Sequence, residues 1–415
     1  MIQVRYDKRV RPVAWRRRLH ALGAALLLFV MAGCSTAVAP SAPPSSRGTP
    51  VVSATPTPTA SLAATPTPTL SSTATPTPRP SPTLTHGVFT LTGSTKVNRN
   101  ATAATVLANG QVLIVGSAND PGPAELYDPT TGKFTVTGTP KDWLGNPVSV
   151  MLKTGRVLVV DFSPISQPEL YDPRTGTFSL TASSWVGREY GTATLLNSGK
   201  VLIAGGFTNG YPNMPRSAQL YDPSSGRLVP TGSMKTGRQC FTATLLQDGR
   251  VLVAGGDVGG CEAIDNAFSS AEIYDPASGK FTPTGSMTTP RASATATLLA
   301  NGEVLIVGGT DGNTDLASAE LYDPETGTFK PTGSMSEVRT ERMATLLRNG
   351  RVLVVGGGDS SAEVYDPSTG KFSLTGSMSA DRSECVAVRL SDGRVLIVGG
   401  EAYSPTGSTA ELYWP

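Results

Sequence analysis

Histidine is nearly absent from this chain of 415 residues: only His20 and His86 occur. Two are too few for a histidine-rich metal centre, and none follows residue 86. Charge is scarce as well, at 16% of residues, and aromatics make up 6%. A helical bundle or coiled coil needs many Ala, Glu, Lys and Leu, so low charge together with 45 Gly and 33 Pro excludes both. The length suits two or three ordinary domains, or a propeller or barrel of about 250 residues or more joined to other segments. The formal charge is only +2, yet Arg5, Lys8, Arg9, Arg11, Arg16, Arg17 and Arg18 stand against Asp7 in the first twenty residues. That stretch holds +6 and leaves −4 for the rest, so no nucleic-acid footprint survives outside the N-terminus.

Long hydrophobic runs are missing too. The most apolar stretch, ALGAALLLFVMAG at 21–33, has 13 residues, well short of the roughly 20 that cross a bilayer as a helix. A basic start, a short apolar run and small residues behind it describe an export signal. The run ends Met31-Ala32-Gly33-Cys34, which resembles the lipobox of bacterial lipoproteins, with Met31 where that family usually has leucine. The resemblance implies that residues 1–33 are a signal peptide and that Cys34 becomes the lipid-modified first residue of the mature chain. A simple cleaved signal with an incidental cysteine is the alternative. With a lipid at Cys34, the protein is expected outside the cytoplasm, anchored to the cell membrane and exposed at the surface. Acyl chains contribute about 0.8 kcal/mol per buried CH₂ to such a tether.

Residues 34–86 read as a disordered linker. From Ser35 to His86, 42 of 52 residues are Pro, Thr, Ser or Ala, and ATPTPT recurs with a ten-residue period at 54–59 and 64–69, then as ATPTPR at 74–79. So few apolar side chains cannot offset the ordering entropy, and the prolines favour extended polyproline II. At about 3.1 Å per residue the segment could reach on the order of 160 Å as a spacer.

Everything from residue 87 onward repeats. Tyr-Asp-Pro starts at Tyr127, Tyr171, Tyr221, Tyr274, Tyr322 and Tyr365, and a variant, Tyr413-Trp414-Pro415, closes the chain. A turn glycine precedes a Val-Leu pair at Gly110, Gly155, Gly199, Gly249, Gly302, Gly350 and Gly393. Both markers count seven at intervals of 43 to 53 residues, a period that signals a solenoid or propeller. Within 291–332 four short β-like runs follow one another: SATATLL, EVLIVGG, SAELYD and TFKPT. Asn301-Gly302 is a hairpin turn, and in Asp-Pro-Glu-Thr-Gly Asp323 caps, Pro324 fixes φ and Gly327 takes the left-handed position. Each unit is thus a four-stranded antiparallel meander that cannot bury both faces alone, so the copies must stack.

Gly-Gly pairs at 205–206, 255–256, 308–309, 356–357 and 399–400 close the second strands. A tyrosine follows on the third strand, an aromatic on the fourth, and an arginine stands before the next first strand. This pattern resembles the kelch repeat, which implies an all-β, seven-bladed β-propeller over 87–415 with one repeat per blade. Phe134, Phe178, Phe281, Phe329 and Phe372 stand where that family usually has Trp, and Leu228 takes one such place. Gly116-Ser117 and Asp161-Phe162 replace Gly-Gly in the first two units, the second being the degenerate one. The chain ends after a third strand, STAELYWP, while GVFTLTGS at 87–94 reads as a lone fourth strand. Pairing of 88–92 with 409–413 would complete the seventh blade and remove exposed edges.

Turns after strands one and three are uniform and tight, whereas loops after strands two and four vary, as in VGGCEAIDNAF and FTNGYPNMPR. A uniform face reads as scaffold and a varied one as recognition. Arg99, Arg188, Arg238, Arg291, Arg339 and Arg382 each lie eight residues before a leucine that ends a first strand, with Leu144 in that place in unit two. Related by the rotation axis, they form either an anion trap of forked donors or a set of ties between blades. Trp143, Phe162, Trp185, Tyr190, Phe207 and Tyr211 crowd the variable loops of units two and three, either as ligand-binding rings or as caps on irregular blades. Cys240 and Cys261 sit on the same face, and export would permit a disulfide. Asp311-Gly312-Asn313-Thr314-Asp315 lacks the sixth-place glycine of a calcium loop and reads as a turn.

Kelch-type propellers include galactose oxidase, which implies histidine and tyrosine copper ligands. Without a histidine after His86 that chemistry is not expected here, and no cofactor or metal is expected. The expected function is a surface-anchored binding module for a protein, peptide or glycan ligand, with anionic groups favoured. The alternative is an extracytoplasmic sugar-modifying enzyme of the epimerase or mutarotase type, for which Glu189, Glu341 or Glu384 would stand beside the arginines. A structural envelope protein without a small ligand is a third reading.

Overall fold

A computed structural model describes residues 87–415 apart from 100–102, 117–121, 143, 145–146, 162–165, 182–186, 208–214, 260–265, 340–341, 384 and 401–407. The expected signal peptide, Cys34 and the linker lie outside the described residues. Twenty-eight strands form seven four-stranded antiparallel sheets, and no α-helix occurs among the described residues. Blades one to six span 103–136, 147–180, 192–233, 242–283, 295–331 and 342–374, each with its strands in chain order. The first strand of every blade touches the first strands of both neighbours, blade seven meeting blade one, so the ring is closed.

The second strands explain why seven copies must pack together. Val112–Val115, Val201–Ala204, Val251–Ala254, Val304–Val307 and Val395–Val398 are buried at every position. Strands covered on both faces read as continuous apolar runs rather than alternating ones. The core accordingly comprises seven clusters, each shared by two adjacent blades. Fourth strands such as Lys280–Pro283 form the exposed rim.

Blade seven is built from both ends of the domain. Val88–Leu91 pairs antiparallel with Ala410–Trp414, with Val88 opposite Trp414, Phe89 opposite Tyr413, Thr90 opposite Leu412 and Leu91 opposite Glu411. Thr92 N donates to Ala410 O at 3.0 Å, and the Phe89 and Tyr413 rings lie 4.9 Å apart. The pairing expected from the sequence is therefore the one that closes the ring.

Turn chemistry separates the two faces of the disc. All seven connections from first to second strand have five residues, and all six from third to fourth within the continuous blades have four. In the latter, Asp323 Oδ1 accepts from Glu325 N at 2.9 Å, and Gly327 sits at φ +68. Connections from second to third strand range instead from six to sixteen residues.

Adjacent blades are joined by a repeated pair of hydroxyls. Thr92, Thr137, Thr231, Thr284, Thr332 and Thr375 meet Tyr127, Tyr171, Tyr274, Tyr322, Tyr365 and Tyr413 of the next blade at 2.8–2.9 Å. The glycine after each of these threonines is obligatory: a Cβ there would lie 2.1 to 2.5 Å from a carbonyl oxygen of the next blade. Between blades two and three the sequence is Thr181-Ala182-Ser183. At this junction both Thr181 Oγ1 and Tyr221 OH are buried without a partner. Tyr221 also faces Leu228 across the strand pair, where the other six blade tyrosines have a phenylalanine ring within 4.9 Å.

Two stability tests follow from this architecture. Deleting residues 87–93 should lower Tm by about 5 °C or more, since a domain this large shifts by roughly 2–4 °C per kcal/mol or less; thermal denaturation checks it. Thr284→Val should cost about 1–3 kcal/mol by orphaning the Tyr322 hydroxyl. Thr181→Val should be neutral or stabilising in urea unfolding, because its hydroxyl already lacks a partner.

Candidate functional site

The six arginines all stand where the chain enters a blade on the loop face, and all are buried. In five blades the guanidinium meets a glutamate two residues before the blade tyrosine: Arg99–Glu125 at 2.7 Å, Arg238–Glu272 at 3.1 Å, Arg291–Glu320 at 3.2 Å, Arg339–Glu363 at 3.6 Å and Arg382–Glu411 at 2.9 Å. Arg339 gains a second carboxylate, Asp359, at 2.6 Å. Each glutamate also accepts backbone N–H groups of the incoming chain, as Glu320 does from Thr288 at 2.7 Å and Thr289 at 3.1 Å. Burial lowers the pKa of Arg99, Arg238 and Arg291, and their glutamates oppose that shift.

The same arginines explain the glycine pairs. Arg291 Nη1 donates to Gly308 O of its own blade at 3.0 Å, and Gly256 N of the preceding blade donates to Arg291 O at 2.8 Å. A Cβ on Gly255 would lie 2.2 Å from that Arg291 oxygen. Side chain and main chain of one residue thus tie two blades together. Five guanidiniums in this state have their charge met inside the protein and are sealed from solvent.

Blades two and three break the pattern in opposite senses. In blade two Leu144 is buried at the arginine place, and Glu169 is left with the backbone N–H groups of Lys141 at 2.8 Å and Asp142 at 3.1 Å. Burial pushes the Glu169 carboxyl above its ordinary value. In blade three the arginine is kept but Gln219 stands at the glutamate place. Arg188 donates through Nη1 to Ser217 O at 2.6 Å and through Nη2 to Ser217 Oγ at 2.8 Å, while its Nε and Gln219 Oε1 are buried without partners.

The inner rim of the loop face carries a feature for which the sequence offered no signal. Tyr190, Cys240 and Ser293, each two residues after a blade arginine, have φ of 59, 52 and 52. Cys240 N donates to Tyr190 O at 3.2 Å and Ser293 N to Cys240 O at 2.8 Å, so the three form a main-chain relay across blades three to five. Left-handed backbone in non-glycine residues costs of order 1–3 kcal/mol and gathers at binding and active sites. Cys240 is disulfide-bonded; Cys261, its expected partner, lies outside the described residues. Phe207 bonds Glu189, the residue before Tyr190, through both main-chain groups at 2.7 and 2.8 Å. Trp143, Phe162, Trp185, Tyr211, Glu341 and Glu384 lie outside the described residues.

Other candidates resolve simply. Asp311 Oδ1 accepts from Asn313 N and Thr314 N, both at 2.7 Å, as a turn cap. Cys385 is free and buried, which pushes its thiol up to about 11 and leaves it inert. A cleft of about 890 Å³ opens on the opposite, turn-bearing face beside Arg348, Asp392 and Trp414. There Arg394 stacks on Trp414 at 4.9 Å and donates to Pro129 O at 2.8 Å, contacts that lock the closing blade rather than await a ligand.

Comparison with known proteins agrees with this geometry. Residues 240–288 and 291–336, which hold blades four and five, each match the Kelch motif. No curated protein sequence matches the chain. A fungal alcohol oxidase of the AA5 family, solved in complex with copper, is similar in structure at 19% identity over 79% of this chain and 76% of that one, with a TM-score of 0.65. At that identity the likeness is one of fold. The chain is a seven-bladed β-propeller that carries Kelch motifs in blades four and five. Copper held by histidine and tyrosine does not fit its residues: 87–415 has no histidine, and the described residues hold no group of three or more His, Cys, Asp or Glu suited to a metal.

Two substitutions test these assignments. Arg291→Leu should destabilise by about 3–5 kcal/mol by leaving Glu320 buried and unpaired, measured by denaturant unfolding. Because the folded-state pKa of Glu169 is raised, its folded form holds the proton more tightly than its unfolded form. Its contribution is present below the ordinary carboxylate value and lost as pH rises through the folded value. Glu169→Gln should therefore flatten that fall in Tm above about pH 4.5.

Proposed function

We propose that this protein is an extracytoplasmic interaction module, tethered by a lipid at Cys34 and carried on the 34–86 stalk, that binds a protein or peptide partner through its loop face. One observation carries the reading. The turn-bearing face repeats the same five- and four-residue connections, whereas the loop face varies from six to sixteen residues and holds the strained Tyr190, Cys240 and Ser293 relay. Repetition on one side serves the ring; variation on the other is what a specific partner can read. A kelch propeller is in keeping with a protein-interaction role, and aromatic side chains such as Tyr190 and Phe207 suit a binding hot spot.

Cross-linking mass spectrometry with the soluble 84–415 fragment, which keeps both strands that complete blade seven, tests the binding face. Cross-links to a partner should fall on the loop face, and Phe207→Ala should weaken binding by about tenfold or more, as for a hot-spot residue. Cross-links confined to the turn-bearing face would overturn the assignment, and binding to glycans alone would replace the partner class. Cys34→Ser should release the full chain from membranes and abolish incorporation of labelled fatty acid; unchanged membrane association would remove the tether.

A further inference from the structure

The blade arginine has a glutamate in five blades, but in blade three it has none. Arg188 is a cation with 5% of its surface exposed, while the five paired arginines have at most 1%. Desolvation lowers its pKa, and among the described residues no carboxylate opposes it. Among the described residues its hydrogen bonds run to Ser217, to two neutral oxygens. Nε atoms of Arg238 and Arg339 also lack partners, but their charges are met by Glu272 and by Glu363 with Asp359. Among the described blade arginines, Arg188 alone combines burial with no carboxylate partner. Beside it, Gln219 Oε1 is a buried acceptor without a donor.

A buried charge that has lost its partner is strongly destabilising unless something replaces the partner. The fold shows what fits: the same cage, repeated five times, holds a carboxylate. We propose that blade three is a carboxylate-binding site in which a ligand's carboxyl group, meeting Arg188 beside Gln219, supplies the charge that glutamate supplies in blades one, four, five, six and seven. Arg188 supplies the charge and its Nε the free donor, and Ser217 holds the guanidinium in position. Gln219 Oε1 accepts a donor that the ligand carries next to its carboxylate. Guanidinium forks suit this group, because two parallel N–H bonds match its two oxygens. Tyr190, two residues along and in the left-handed conformation, places the site on the rim of the loop face. The site rests on the proposed function only in sharing that face, and it names the chemistry recognised there.

Thermal denaturation of the full chain in sodium acetate and in sodium chloride, at matched ionic strength and pH 7, tests the site. Acetate should raise Tm by roughly 1–2 °C over chloride in the wild-type protein, as for a weak ligand above its Kd. Gln219→Glu should raise Tm in chloride and abolish the acetate increment, because the missing carboxylate is then built in. An equal Tm in the two salts, or an increment that persists in Gln219→Glu, would overturn the proposal. A blocked Gly-Glu-Gly peptide, compared with Gly-Gln-Gly, separates sources: a response larger than that to acetate marks a polypeptide carboxylate, and an equal one marks a small organic acid, each supporting the site. Loss of the increment with loop-face cross-links intact would sink the site and leave the interaction module standing.

Discussion

A guanidinium shut inside a β-propeller has to find its counter-charge there, and this requirement organises the molecule. Each paired arginine binds a glutamate and carbonyls of its own blade, while the main-chain oxygens of Arg99, Arg238, Arg291 and Arg382 accept from a glycine of the blade before. The side chain fixes the blade internally, and the main chain fixes the angle to its neighbour. The Gly-Gly step, the glutamate ahead of the tyrosine and the entry of the chain are all consequences of one residue. Buried pairs of this kind add little net stability over an apolar replacement, yet breaking one is expensive. Their role here is register: they specify where each blade begins.

Most of the fold was legible because it is periodic. Tyr-Asp-Pro, the turn glycines and the apolar second strands recur with the blades, and the split seventh blade could be read from an unmatched fourth strand at residue 87 and a missing one at the end. The arginines were legible as a set, but their state was not, since a sequence does not say whether a recurring cation faces a channel or a carboxylate. The signal was available in part: glutamate precedes the tyrosine by two residues in six units, and Gln219 is the exception. The left-handed trio was not legible at all, because Tyr190, Cys240 and Ser293 share no residue type that favours such a backbone. Irregular loops follow no period, which is why the loop face was the part least readable from spacing.

Apart from Gly116-Ser117 in blade one, the departures from regularity cluster. Leu144 without an arginine, Gln219 without a carboxylate, Ala182 in place of a glycine and Leu228 in place of a phenylalanine all belong to blades two and three. The hydroxyl pair missing between Thr181 and Tyr221 falls at the same place. Six junctions are built to one specification and the seventh to another. Places where a repeat breaks its own rules are where function is expected to outweigh stability, and this seam adjoins the rim that carries Tyr190 and Phe207.

The strand at 88–91 is made early and its partner at 410–414 is made more than three hundred residues later. No folding intermediate that lacks the later strand can shut the circle, however well its first six blades have formed. Loop closure over such a distance is slow compared with local hairpins. Until it happens, the apolar flanks of blades six and one stand open to water. The nascent propeller is thus a crescent in need of protection, and its last strand acts as the latch that ends its exposure.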